Sequence, residues 1–185
     1  GDYSWYDGTD SDIFTYGGSY VDIKKSGWDS MLIDPVGGTQ GKIYTGSLYS
    51  NTKTSVAGTS PSAVGASACT SGANSGEHCG TIIDSNYGFD CGPNDEYLCY
   101  GVIAQKTTGG ALLVRGDSGG PVYAYQADGR VKAKGIISKG GGDVACPPFI
   151  TEPGDAFTTG CYNYLVYVGI DSLLSVWGVA IETSA

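Results

Sequence analysis

A serine flanked by glycines is the feature of this sequence best suited to chemistry. Residues 116–121 read GDSGGP, with Ser118 at the centre. A serine hydroxyl becomes a useful nucleophile only where a base removes its proton and hydrogen-bond donors stabilise the oxyanion. Glycines on both sides permit a tight turn in which the backbone N–H groups of Gly116 and Ser118 converge on one oxygen. The pattern predicts acyl transfer, with Ser118 as nucleophile and Gly116 and Ser118 as the oxyanion hole; the alternative is a glycine-rich turn that contains a serine by chance.

The same motif resembles that of the chymotrypsin-like serine proteases, in which GDSGGP surrounds the catalytic serine and the aspartate before it, here Asp117, makes a buried ion pair. The helix that ends at residues 177–179 is similar to the C-terminal helix of the bacterial streptogrisin-like branch. The resemblance extends from about Gly27 to the C-terminus. It implies a serine endopeptidase with two six-stranded antiparallel β-barrels.

A second segment extends the resemblance to the substrate site. Residues 135–141, GIISKGG, resemble the strand that lines the primary specificity pocket and pairs with the substrate backbone. The resemblance implies that substrate is bound by Ser138, Lys139 and Gly140. It also implies a pocket lined by these residues, by Leu112 and Leu113, and by the stretch around Gly160. No acidic residue is evident at its base, which favours an apolar or small side chain at the cleaved position, although the places of Asp143 and Asp155 are open.

The orienting carboxylate of such an enzyme should stand where a strand of the first barrel opens. Residues 29–33, DSMLI, resemble the family's Asp-x-Ala-Leu-Ile pattern, and residues 41–44 read as the next strand. Asp29 is therefore the predicted acid. Asp12, which also precedes apolar residues, is the alternative.

The general base is the residue that the sequence leaves unassigned. His78 is the only histidine, and the order Asp29, His78, Ser118 differs from the His, Asp, Ser order of chymotrypsin-like enzymes. Because His78 lies between a glutamate and a cysteine in a Ser- and Gly-rich stretch, we expect a surface residue on a turn. In the family the histidine comes some tens of residues before the aspartate, and the chain begins too late to include it. We therefore expect the histidine on a separate N-terminal chain, left by a cut in an exposed loop and held noncovalently.

Composition favours a secreted, mostly β protein. The chain has 31 glycines, 14 tyrosines and only 16% charged residues, which is typical of short strands joined by tight turns. A net charge of -9 argues against nucleic acid and membrane surfaces as partners. Six cysteines with no C-x-x-C spacing predict disulfides and an oxidising compartment; pairing of sequence neighbours is the simplest of the possible connectivities. The chemistry implies no metal or organic cofactor.

Short runs of alternating apolar and polar residues predict at least six strands, at residues 41–49, 80–84, 97–106, 121–125, 131–138 and 164–170. Apolar residues at 170, 173, 174 and 177 predict one C-terminal helix, with Asp171 or Ser172 as cap and Gly178 at its end. The predicted domains are residues 1–55, the remainder of an incomplete first barrel, and residues 56–185, the inter-barrel connection, second barrel and helix. Residues 56–75 are expected to form that connection and a long turn.

These predictions combine into a serine endopeptidase that becomes active with a histidine-bearing partner chain and takes protein or peptide substrates. The alternative is a catalytically inactive homologue that binds peptides or proteins. An esterase is a third reading, since the same chemistry cleaves esters.

Overall fold

The computed structural model describes residues 4–7, 15–24, 27–35, 38–91, 97–147 and 160–185, and for the first two ranges it describes the backbone alone. Most of these residues lie in strands, and the chain ends in a short helix, so the predicted all-β class is confirmed. In chain order the elements are β1 Ser4–Asp7, β2 Thr15–Lys24, β3 Ser30–Pro35, β4 Lys42–Thr45, β5 Thr52–Thr59, β6 Ser67–Gly72, β7 Gly76–Cys91, β8 Tyr97–Gln105, β9 Leu113–Val114, β10 Pro121–Tyr125, β11 Val131–Val144, β12 Cys161–Gly169 and α1 Ile170–Trp177.

Six strands of the second half form a closed ring of antiparallel pairings. From β11 the pairs lead through β10, β6, β7, β8 and β12 and return to β11. Alternate side chains point inward, where they form a core that includes Ala68, Ile82, Ala104, Leu112 and Leu165, none more than 1% exposed. Burial of each Leu or Ile side chain contributes about 1.5–3 kcal/mol. The GDSGGP motif lies between β9, which pairs with β12, and β10, so the ring holds both of its ends.

The first part of the chain forms a smaller sheet and a hairpin. Strands β1, β2 and β3 make a three-stranded antiparallel sheet, and β4 pairs with β5. β5 then runs parallel to β11, where Val56 and Thr59 pair with Val131 and Ala133. β5 spans the predicted domain boundary between residues 55 and 56. The division into two domains stays a prediction.

The expectation for residues 56–75 was wrong. Much of this segment belongs to β5 and β6, and the Ala68, Cys69 and Thr70 side chains are at most 2% exposed. Small residues are typical of a connection, but between close strands they are also the ones that fit the interior. The connection itself is short and is held by Lys134, whose Nζ donates to the Pro61 carbonyl at 2.6 Å.

The C-terminal helix has the predicted extent, but its N-terminal cap differs from the expectation. α1 follows β12 without a turn, so Gly169 is the cap residue and makes no side-chain hydrogen bond. Gly178 ends the helix in the left-handed conformation, as predicted. Among the described residues, no helix has the length and hydrophobicity that crossing a membrane requires.

All six cysteines form disulfides between sequence neighbours. Cys69–Cys79 joins β6 to β7, Cys91–Cys99 joins β7 to β8, and Cys146–Cys161 joins the segment after β11 to β12. Loops of this size each contribute about 2–3 kcal/mol by restricting the unfolded chain. The simplest predicted connectivity is confirmed, and no cysteine is left for a bond to another chain.

Glu77 fastens the β4–β5 hairpin to the ring. Its carboxylate accepts hydrogen bonds from the hydroxyls of Tyr123 and Tyr125, both at 2.7 Å, and from the backbone N–H of Gly46 at 3.1 Å. Burial alone would raise the pKa of Glu77, but these hydrogen bonds outweigh it and lower the pKa below its ordinary value. The residue before Glu77 also packs closely against the hairpin. A Cβ atom at Gly76 would strike the backbone of Leu48.

We expect Glu77→Gln to lower the free energy of unfolding by about 1–3 kcal/mol at neutral pH, because it removes the charge from three hydrogen bonds. A lowered folded pKa stabilises the protein above the ordinary glutamate pKa of about 4.3, and this contribution is lost as the pH falls through the folded pKa. Urea unfolding at pH 7 and pH 3 measures the difference, which should shrink at pH 3. The exposed Glu182→Gln is the control, and an equal effect of both substitutions would contradict the assigned role.

Candidate active site

The loop that carries Ser118 is held in one conformation by backbone hydrogen bonds. Within the loop, the N–H of Asp117 donates to Val114 O and the N–H of Gly120 donates to Asp117 O. Two further bonds join the loop to β11: Gly119 N–H donates to Ile137 O at 2.8 Å, and Ile137 N–H donates to Gly120 O at 2.9 Å. Ser118 itself is exposed. The nucleophile therefore projects from a rigid loop toward solvent.

Asp117 supports the loop from beneath. It is 1% exposed, and its two carboxylate oxygens accept the N–H groups of Asn74 and Val114, both at 2.8 Å. The Asn74 side chain also donates to Arg115 O at 2.9 Å. The family resemblance implied an ion pair here, but in the described part of the chain the partners of this carboxylate are backbone amides. Charged acceptors make stronger hydrogen bonds than neutral ones, so two amides can take the place of a cation.

Two backbone donors of the loop that carries Ser118 have no acceptor among the described residues. Across the described residues, the N–H groups of Gly116 and Ser118 have no hydrogen-bond acceptor in the protein, whereas the N–H of Asp117 between them is used. Gly116 has φ 97°, in the left-handed region, and a Cβ atom there would strike the Asn74 amide. The backbone conformation favours glycine at position 116, and a larger residue would also displace the Asn74 side chain. Neighbouring free N–H groups are the arrangement that an oxyanion hole needs.

Asp29 lies near Ser118 in space, although the two are far apart in sequence. The Ser138 hydroxyl donates to the Asp29 carboxylate, and the Ser138 carbonyl accepts the Ser118 hydroxyl at 3.3 Å. Ser138 can serve both because the register of β11 against β12 shifts between Ile137 and Lys139, which leaves Ser138 as the extra residue of a β-bulge. The structure thus brings together three of the predicted site residues.

Contacts with the second half of the chain hold Asp29 in place. Gly27 forms a bridge with Cys99, Trp28 packs in a cluster with Trp177, and Trp177 Nε1 donates to Ser30 Oγ at 3.2 Å. Asp29 has φ 36°, an unusual value for a residue other than glycine. β3 follows it directly, as the sequence predicted. The alternative acid, Asp12, lies outside the described residues.

His78 does not take part in this arrangement, and the expectation that it is a surface residue on a turn was wrong. It lies on β7 opposite Thr70, is half-buried, and its Nε2 atom is buried with no hydrogen-bond partner in the described part of the chain. Burial, and then the positive charge of Lys106, lower the pKa of His78 and favour the neutral imidazole. Its place on a strand was hidden because its sequence neighbours are typical of a turn.

Lys139 extends away from Ser118. Its Nζ donates to Asp90 O at 2.9 Å and lies 5.8 Å from the Phe89 ring centroid. A cavity of about 210 Å³ opens here, with a lining that also includes Tyr87 and Tyr164. Gly140 instead faces Leu113 and Tyr162. The substrate-binding roles of Ser138, Lys139 and Gly140 stay predictions.

Sequence reasoning missed two residues of the site and could not place two others. Asn74 and Tyr162 were not singled out, because a turn asparagine and a strand tyrosine carry no signal until the fold places them beside residues 115–117 and 140. Asp143 is exposed on β11, and Asp155 lies outside the described residues.

Comparison with known proteins identifies the fold. No family model matches the sequence, and the search of curated proteins found no match. Among solved structures, the chain is similar to a chymotrypsin from Cellulomonas bogoriensis, with a TM-score of 0.63, 23% identity and coverage of 90% of this chain and 76% of that one. For a Nocardiopsis protease the values are 0.64, 21%, 92% and 78%. For an alpha-lytic protease homologue they are 0.63, 20%, 97% and 79%.

The chain therefore has the chymotrypsin-like fold of the bacterial serine proteases, as the GDSGGP motif predicted. The closed ring corresponds to the predicted second barrel. Within the described residues, the predicted first barrel consists of the β1–β3 sheet and the β4–β5 hairpin.

We expect Asp117→Ala to destabilise the protein by about 2–5 kcal/mol, because it leaves two buried backbone N–H groups without acceptors. Chemical denaturation of the substituted and unsubstituted proteins measures the change. Asp128→Ala, which removes an exposed carboxylate paired with Arg130, should have little effect on stability. Equal losses in the two variants would show that the Asp117 contacts add nothing to stability.

Proposed function

We propose that this chain is the nucleophile-bearing part of a secreted serine endopeptidase that hydrolyses peptide bonds through an acyl-enzyme. One observation carries the proposal: the exposed Ser118 hydroxyl and the Asp29 carboxylate are both hydrogen-bonded to Ser138, and the N–H groups of Gly116 and Ser118 have no acceptor among the described residues. A nucleophile, an oxyanion site and an orienting carboxylate are three of the four components of acyl transfer by serine. The fourth is a base.

In the proposed reaction, Ser118 Oγ attacks the carbonyl carbon of the substrate while a histidine accepts the hydroxyl proton. The carbonyl oxygen becomes an oxyanion that the N–H groups of Gly116 and Ser118 stabilise. Collapse of the tetrahedral intermediate breaks the C–N bond, and the histidine returns the proton to the departing amine. Water then attacks the acyl-enzyme by the same steps and releases the acid. Asp29 holds the imidazole in the tautomer that accepts the proton.

The histidine would come from a separate N-terminal chain, because His78 is on β7 and makes no hydrogen bond to Ser118. With all six cysteines paired internally, that chain would be held by noncovalent contacts. For the histidine to accept the proton, the hydroxyl of Ser118 has to leave the Ser138 carbonyl. Three disulfides support a secreted protein, since disulfides persist in oxidising compartments.

A fluorophosphonate probe tests the proposal on the protein purified from its natural source. The probe should label Ser118, because only an activated serine reacts at a useful rate, and intact mass should reveal a second polypeptide that contains histidine. Ser118→Ala, produced in the same way, is the control and should not be labelled. An unlabelled native protein would instead support the alternative, an inactive homologue that binds peptides.

Asp29→Asn and His78→Asn form a matched pair that identifies the groups acting on Ser118. We expect Asp29→Asn to lower kcat by about 10⁴, because an amide favours the wrong imidazole tautomer. His78→Asn should leave kcat within about threefold of the native value. Peptide hydrolysis measures both, with circular dichroism to verify folding. Loss of activity in His78→Asn alone would make His78 the base and remove the need for a partner chain.

A further inference from the structure

The resemblance to chymotrypsin-like proteases implies that three segments bound the space beside Ser118 into which a substrate side chain would project. They are β9 with the start of the nucleophile loop, β11 from Ser138 onward, and the start of β12. β12 pairs with both of the others, since Tyr162 lies opposite Leu113 on one side and Asp143 on the other. Backbone hydrogen bonds therefore fix the separation of the three segments. The width of the space depends on the side chains that fill it.

Gly140 shows that this space is already occupied. A Cβ atom at position 140 would lie 2.5 Å from Leu113 Cδ2 and 2.6 Å from Tyr162 Cδ2. These separations are too short for any real carbon contact, so Leu113 and Tyr162 fill the volume into which a side chain at position 140 would project. Leu113 is 3% exposed and belongs to the core of the ring, whereas Tyr162 is half-buried against that core.

The Tyr162 ring crosses the space from one wall to the other. Its Cδ2 atom lies beside Gly140. Its hydroxyl lies beside Gly160, where it would be 2.8 Å from a Cβ atom at that position. A Cβ atom at Gly160 would also lie 3.6 Å from the Cβ of Arg115, the residue before Gly116. The ring thus extends from β11 to the segment that precedes the oxyanion donors. A long substrate side chain would have to displace it.

We infer that Leu113 and Tyr162 close the pocket for the substrate residue whose carbonyl Ser118 attacks, so that the enzyme cleaves after Gly, Ala or Ser. The inference rests on the proposed function and specifies its substrate class. Placing a larger side chain in a filled space forces strained rotamers or backbone shifts. Tyr162 is the specificity-determining residue, because its ring is only half-buried and can be shortened without opening the core.

The test uses the native protease, with its histidine-bearing polypeptide, and peptides that differ only in the residue before the cleaved bond: Gly, Ala, Ser, Leu, Phe or Lys. We expect kcat/KM for Ala to exceed that for Phe by at least about 100-fold. Tyr162→Ala should raise kcat/KM for Leu and Phe at least about tenfold relative to Ala. Tyr162→Phe keeps the ring and should keep the native preference. Tyr44→Ala, which removes an exposed tyrosine on β4, should leave every ratio unchanged.

Each outcome separates the inference from the proposed function. Cleavage after Phe or Lys as fast as after Ala, or an unchanged Phe to Ala ratio in Tyr162→Ala, overturns the inference and leaves the peptidase intact. If no peptide is hydrolysed, the proposed function fails and the inference fails with it. Tyr162→Val, which keeps a residue suited to a strand, replaces the alanine variant if that variant does not fold.

Discussion

The candidate site depends on one buried carboxylate. Asp117 accepts the backbone N–H groups of Asn74 and Val114, and in doing so joins the β6–β7 turn to the end of β9 directly under the nucleophile. Burying a carboxylate without such donors would cost several kcal/mol, and burying the two amides without an acceptor would also be unfavourable. The Asp117 charge and the two N–H groups therefore stabilise each other. The N–H of Asp117 itself is bonded to Val114, whereas the N–H groups of Gly116 and Ser118 have no acceptor among the described residues.

The contacts of Asp117 continue into the rest of the chain through the β6–β7 turn. Asn74 lies in this turn, and Gly76 and Glu77 follow it, in contact with the 46–48 turn of the β4–β5 hairpin. The hydroxyls of Tyr123 and Tyr125 on β10 bind the same Glu77 carboxylate. The nucleophile loop and the hairpin are thus fastened to the two sides of one turn. A change in that turn should affect both the position of Ser118 and the stability of the first half.

Much of the fold could be predicted from local patterns. Alternation predicted five of the six ring strands, in part or in full, and missed β6. The spacing of Ile170, Leu173, Leu174 and Trp177 predicted the helix, and neighbouring cysteines paired as expected. The failures concern burial. Residues 56–75 and His78 have polar or small neighbours in sequence, and their burial comes from strands distant in sequence, such as β10 against β6. The prediction of the N-terminal cap of α1 was wrong because β12 continues directly into the helix.

The sequence by itself determined the fold class and predicted the chemistry: GDSGGP predicts Ser118 as the nucleophile and the chymotrypsin-like fold, and the order of Asp29 and His78 differs from that of chymotrypsin-like enzymes. Only the tertiary structure decided how these residues meet. A bulge in β11 lets Ser138 contact both Asp29 and Ser118, and Leu113 and Tyr162 converge on Gly140 because β9 and β11 flank the same strand. A motif encodes the conformation of its own residues, whereas the filling of a pocket depends on contacts between segments far apart in the chain, which no local pattern records.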